Sequence, residues 1–186
     1  MSMTKIIQKD YMPDIETDNL LLTAPFFWNS VFLSEYSKKS DICKYILNSV
    51  NNDMNEFNNK INSILISQSD TNHIWMIKRK NDNQIIGSFY LYNRDLEYNF
   101  AFIYCDILRP ENVSFKNIKE ETEYICETMS GAIYFLTQEL KIDKLFFSLY
   151  IDNSTTAYYI EQLGFKKCAD RNPHTQKCPH DIYMYN

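Results

Sequence analysis

The sequence predicts an α+β fold: a mixed, mostly antiparallel sheet with one strand–helix–strand unit at its centre. Three features carry that prediction. Residues 73–108 hold three consecutive strand-like runs, the first two separated only by Lys80, Asn81, Asp82 and Asn83, a composition suited to a hairpin. Across 117–140, Ile118, Ile125, Met129, Ala132, Leu136 and Leu140 recur at spacings of three, four or seven, the mark of a helix with one buried face. A buried-strand run, 145–151, follows at once.

In chain order, residues 19–23 predict a short strand stopped by Pro25. Residues 41–49 read as helical. Residues 53–67 give a stronger helix, with Met54, Phe57, Ile61, Ile64 and Leu65 on one face. Asp53 serves there as N-cap, with Glu56 three residues on. The hairpin strands are 73–79 and 84–92. A third strand, 98–108, is rich in Phe, Tyr and Ile and is limited by Pro110. After the long helix and the buried strand comes a short helix, 153–163, ended by Gly164 at a natural C-cap position. Two strands, 165–169 and 181–185, close the chain. There is no internal repeat, linker or long charge block, so one domain over 1–186 is expected.

Composition narrows the class. Hydrophobic residues are 45% and charged residues 23% of the 186, the balance of a soluble globular protein. No apolar run has the length needed to cross a bilayer, and the first ten residues lack the apolar core of a secretory signal. A cytoplasmic protein with no membrane partner is expected. The five cysteines are odd in number and show no short repeated spacing, which predicts reduced thiols. The net charge of −5 supplies no global basic field for a nucleic acid polymer. Cys168, His174, Cys178 and His180 gather near the C-terminus. They lack the tight cysteine pair of structural zinc sites, and no metal is assigned to them.

Residues 153–165, NSTTAYYIEQLGF, resemble the N-x-x-S-x-x-v-x-E-K-x-G-F signature of the GNAT acetyltransferases, in the branch named for RimJ and RimL. Residues 15–23, IETDNLLLT, resemble that branch's opening I-x-T-x-R-L-x-L-R, and residues 85–89, IIGSF, its third-strand x-I-G-x-I. The three lie in the expected order, and the similarity spans roughly 15–185. The resemblance implies a GNAT fold in which the strand before the long helix splays from the strand after it. Acetyl-CoA is then the co-substrate, lying in the gap. Its pantetheine arm pairs with 104–108, which includes Asp106, Ile107 and Leu108. Its pyrophosphate sits at the start of the long helix. The acetyl group passes directly to an amine, with no covalent enzyme intermediate.

The family's phosphate loop, Q/R-x-x-G-x-G/A, is not matched. Counted back without gaps, its place falls on 118–123, IKEETE, which has no glycine and three carboxylates. Either a gap moves the loop to 114–119, where Lys116 and Lys119 add positive charge, or the fold serves as a non-catalytic binding domain. The first alternative keeps the rest of the pattern purposeful.

The resemblance also points to single residues. Asn153 suits an N-cap, either as a cap alone or, as the resemblance implies, with an added hydrogen bond to the pantetheine arm. The tyrosine that many GNAT enzymes use as the acid toward the leaving thiolate is replaced by Ile160. The branch's serine position holds Thr156, the candidate acid, whose alternative is an ordinary helix-surface threonine. Tyr158 and Tyr159 are neighbours able to substitute or simply to pack, and Tyr159 is carried among the cofactor-binding candidates. Glu97 and Asp106 stand near the central strand, and neither is assigned as the base.

Trp75 and Phe89 fall on adjacent hairpin strands. They either pack in the core or face the acceptor cleft, where they would sandwich a planar group. The resemblance implies that the loop holding His174 faces the acceptor pocket, which makes His174 a candidate substrate contact. The acceptor is expected to be a primary amine, on a protein N-terminus or a small aminoacyl compound. Acetylation of aminoacyl-nucleotide antibiotics of the microcin C type, conferring antibiotic resistance, is the alternative. A monomer or homodimer is expected.

Overall fold

The structure is a computed structural model that describes residues 4–7, 13–24, 71–107, 118–150, 154–168 and 180–186. Among these, nine strands form one sheet in the order β1-β2-β3-β4-β5-β6-β7-β9-β8. The strands are β1 Lys5–Ile7, β2 Asp14–Glu16, β3 Leu20–Thr23, β4 His73–Arg79, β5 Ile85–Asp95, β6 Phe100–Ile107, β7 Lys144–Tyr150, β8 Lys166–Lys167 and β9 His180–Tyr185. Helix α1 is Ile118–Tyr134 and runs on into a π-helical turn, Phe135–Glu139; helix α2 is Ser154–Gln162. Every pairing is antiparallel except β6 with β7. That is the mixed, mostly antiparallel sheet with a central strand–helix–strand unit expected from the sequence. The helices expected over 41–49 and 53–67 lie outside the described residues. No helix among the described residues is long and apolar enough to cross a membrane.

The strands form where the apolar pattern has period two. On β4 both faces are buried: Ile74 and Met76 on one, Trp75 and Ile77 on the other. Trp75 and Ile77 belong to the main core with Leu20, Leu22, Phe89, Leu91, Ala101, Ile103, Leu145 and Phe147. Against this face lie Met129, Ala132, Ile133, Phe135 and Leu136, and Phe135 meets Trp75 edge-on with centroids 6.0 Å apart. The opposite face of β5, β6 and β7 carries a run of rings. Tyr92 stacks on Phe102 at 5.6 Å and Phe102 meets Phe146 at 5.3 Å. Burial there pushes the Tyr92 hydroxyl up to about 12.

The middle of helix α1 is held to the sheet at Glu127 and at Gly131. Glu127 accepts hydrogen bonds from the Thr17 hydroxyl at 2.5 Å, the Asn19 backbone N–H at 2.7 Å and the Asn19 side-chain amide at 3.0 Å. Four residues on, Gly131 allows close approach: a Cβ there would stand 2.8 Å from Thr17 Cγ2. Thr17 is buried and cannot swing away, because its oxygen also accepts the Leu20 N–H at 3.2 Å. Helix α2 ends at Gly164, whose φ of +96° suits glycine. The Phe165 N–H then donates to Ile160 O at 3.1 Å, closing the helix and turning Phe165 onto Phe147 and Tyr185.

These contacts make a prediction about Gly131. Gly131→Ala gains about 1 kcal/mol of helix propensity and loses about 1–3 kcal/mol to overpacking against a threonine that is held in place. The unfolding midpoint in denaturant should therefore fall. Thr17→Ser removes the offending methyl and keeps the hydroxyl, so in that background Gly131→Ala should be neutral or stabilising. An equal change in both backgrounds would show that the Thr17 contact is not the cause.

Candidate functional site

The site arises from how β6 and β7 are held on their outer sides. β6 pairs with β5 from Tyr92↔Phe102 to Gly87↔Ile107. β7 pairs with β9 from Leu145↔Tyr185 to Tyr150↔His180. The two pair with each other, in parallel, only from Phe100↔Lys144 to Ile103↔Phe147. Beyond that point residues 104–107 follow β5 and residues 148–150 follow β9, and a V-shaped gap opens. A gap walled by two strands offers amide and carbonyl groups at strand spacing to an extended, amide-bearing ligand.

The direction of α1 brings its start to the open end of the V. Its far end is tied to the closed end, where the Asn99 side-chain amide donates to Lys141 O at 2.7 Å and the Asp143 N–H donates to Asn99 O at 3.1 Å. A helix start directs the N–H groups of its first turn, and the positive end of its dipole, toward whatever lies before it. Near this start, Tyr124 donates to Glu120 at 3.2 Å. Burial, and then the neighbouring Glu120, push the Tyr124 hydroxyl up. Tyr124 also meets Arg79, which is buried and paired with Asp82. The Arg79 bond holds the Asp82 carboxyl below its usual range.

The structure brings some of the candidates together. Asp106 and Ile107 are the last residues of β6, on the arm that lines the V, and Ile107 is half-buried. Lys119 is in the first turn of α1 and Thr156 in the first turn of α2. Tyr159 is half-buried on α2, edge-on to Tyr158 at 5.5 Å, and Tyr158 is exposed. Leu108, Lys116, Asn153 and His174 lie outside the described residues. The segment 118–123 is helical from its first residue.

Trp75 and Phe89 are a correction to the acceptor-site assignment. Both are fully buried, their rings 5.8 Å apart in the main core. The Trp75 indole N–H donates to Pro13 O at 3.0 Å, which satisfies its one polar group inside the protein. They take the packing alternative because the face of β4 that carries Trp75 is the one α1 covers. A nucleobase has no room between them.

Two features of this region were not read from the sequence. Glu127 lies within the long helix, and its three donors sit on Thr17 and Asn19, more than a hundred residues away. Tyr104 falls in the segment assigned to the pantetheine arm, but its ring partner, Phe147, comes from β7. No local spacing announces either contact.

The architecture recurs in solved structures. The chain superposes on a Vibrio cholerae protein assigned as a ribosomal-protein-serine acetyltransferase with a TM-score of 0.68 and 10% identity, over 92% of this chain and 96% of the other. A GNAT-family acetyltransferase from Bacillus anthracis gives 0.64 and 17%, over 92% and 96%. A spermidine N-acetyltransferase chimera with a Vibrio cholerae parent gives 0.66 and 14%, over 90% and 93%. No protein-family model matches the sequence, and no curated protein does. Identities this low speak to architecture alone, and on that evidence the chain has the fold of the GNAT acetyltransferases.

Proposed function

We propose that the protein is an N-acetyltransferase that moves an acetyl group from acetyl-CoA to a primary amine. The observation that carries this reading is the parting of β6 and β7 after four paired positions, with the start of α1 at the open end. In this reading the pantetheine arm lies along 104–108, in register with Asp106, Ile107 and Leu108. The pyrophosphate lies against the loop 114–119, where Lys116 and Lys119 offset its charge. That 118–123 is already helix supports a phosphate loop that precedes it.

The chemistry is direct transfer. A neutral amine attacks the thioester carbonyl, an amide carbon–nitrogen bond forms as the carbon–sulfur bond breaks, the nitrogen gives one proton to an acceptor or water, and the thiolate takes one from a donor. Thr156, on α2, is the candidate donor to the departing sulfur, and Asn153 and Tyr159 are the candidates for holding the arm. The acceptor is a protein N-terminus or a small aminoacyl compound, with His174 a candidate contact. Neighbours on this fold are named for a ribosomal-protein serine and for spermidine, so peptide and small-amine acceptors both fit the architecture. The core position of Trp75 and Phe89 removes the feature that had favoured an aminoacyl-nucleotide. With a net charge of −5, cationic or neutral amines are better matched than anionic ones.

Calorimetric titration tests the donor. Wild type should bind acetyl-CoA, and the double variant Lys116→Glu with Lys119→Glu should bind it at least about tenfold more weakly, because anion recognition at a helix start depends on local positive charge. The absence of both heat and thermal shift for wild type at millimolar acetyl-CoA would end the enzymatic reading.

Thr156→Val tests the acid. It nearly keeps the shape and removes the hydroxyl. With a primary-amine acceptor, kcat should fall by roughly 10- to 100-fold with little change in acetyl-CoA affinity, because the lost bond strengthens only as the thiolate develops. An unchanged kcat assigns the proton to another group.

A further inference from the structure

One aromatic residue stands where β6 and β7 part. Pairing of β6 with β7 ends at Ile103↔Phe147, and Tyr104 is the next residue of β6. Side chains alternate along a strand, so the register partners Ile103 and Phe147 project to one face of the sheet and Tyr104 to the other. The Tyr104 ring nevertheless stacks on the Phe147 ring, with centroids 6.1 Å apart and planes 14° from parallel. That contact passes through the plane of the sheet, which the parting of the two strands permits. On its other side Tyr104 meets Tyr90, its register partner on β5, at 6.2 Å and 58°. Phe147 is 3% exposed and backed edge-on by Phe165, so the ring beneath Tyr104 has nowhere to retreat. Tyr104 itself is half-buried and packs on the main core.

From Tyr104 to the end of β6 at Ile107, three rises of about 3.3 Å each give an arm roughly 10 Å long. A cofactor whose phosphates lie at the start of α1, at the open end, brings its acyl group down this arm toward the apex. We infer that Tyr104 sets the depth of the acyl pocket, its ring closing the V behind a two-carbon acyl group and excluding longer chains. The inference rests on the acetyl-CoA reading and adds to it the residue that selects the acyl group. A ring wedged between two other rings is a hard stop, because close-packed aromatic groups yield little to an added methylene.

The test is calorimetry on the full chain with CoA, acetyl-CoA and butyryl-CoA. Wild type should bind acetyl-CoA at least about tenfold more tightly than butyryl-CoA, since even a single misfitting methylene in an apolar pocket is worth about 10-fold or more. Tyr104→Ala should shrink or reverse that ratio by about tenfold, with both acyl-CoA affinities taken relative to the same variant's affinity for CoA, and Tyr104→Phe should keep the wild-type ratio. CoA binding shows that the variant is folded, and referring both acyl-CoA affinities to it isolates the acyl end from any change along the shared arm. If Tyr104→Ala does not fold, Tyr104→Leu should shift the ratio the same way by less. Wild type that binds acetyl-CoA, with a ratio that Tyr104→Ala or Tyr104→Leu leaves unmoved, overturns this inference alone. Wild type that binds none of the three overturns the acetyl-CoA reading, and this inference with it.

Discussion

The structure turns on a parallel pairing that stops after four positions. In a sheet otherwise antiparallel, β6 and β7 can be neighbours in parallel only because α1 carries the chain from one end of β6 back to the start of β7. Each strand is more extensively paired on its far side, β6 with β5 and β7 with β9. When the twist of the sheet rotates those outer pairs apart, the short parallel pairing is what gives way. The gap is therefore a product of topology, and residues 104–107 and 148–150 become its walls without any loop being needed to build it.

A gap of this kind is useful only if the helix that crosses beside it stays in place. The bonds from Thr17 and Asn19 to Glu127, and the close approach at Gly131, tie the middle of α1 to the turn between β2 and β3. Trp75 against Phe135 fixes its far end over the core, and Arg79 with Tyr124 sits near its start. Together these set where the helix start stands relative to the V. Asp106, Ile107 and Lys119 thus share one end of the fold through contacts made well away from them.

Much of this was legible in local spacing. The long helix, β4, β7 and α2 emerge within a residue or two of the expected positions, because their apolar runs are long enough to fix the type of each element. β1 and β2, at three residues each, are too short to show a period, and they went unread. β5 runs on through Asn93 and Arg94 to Asp95, where the polar sequence suggested a stop, because an irregularity in pairing with β6 carries it past Tyr92. Tyr98 was expected at the head of β6 but stands in the turn before it, where Asp95 accepts the N–H groups of Glu97 and Tyr98 at 2.9 and 2.8 Å. The face taken by Trp75 was not decidable from the sequence, since both faces of β4 are apolar and only the position of α1 distinguishes them. The same holds for the Tyr104–Phe147 contact, which depends on where two strands part.

The central claim is that the V between β6 and β7 receives the arm of acetyl-CoA, and amide hydrogen exchange with and without saturating acetyl-CoA tests it most directly. Residues 104–107 should exchange more slowly with the cofactor bound, as their backbone groups enter a new pairing, while residues 100–103, already paired with β7, should change little. Protection confined to some other part of the sheet, or a cofactor that binds and leaves 104–107 exchanging as before, would contradict it.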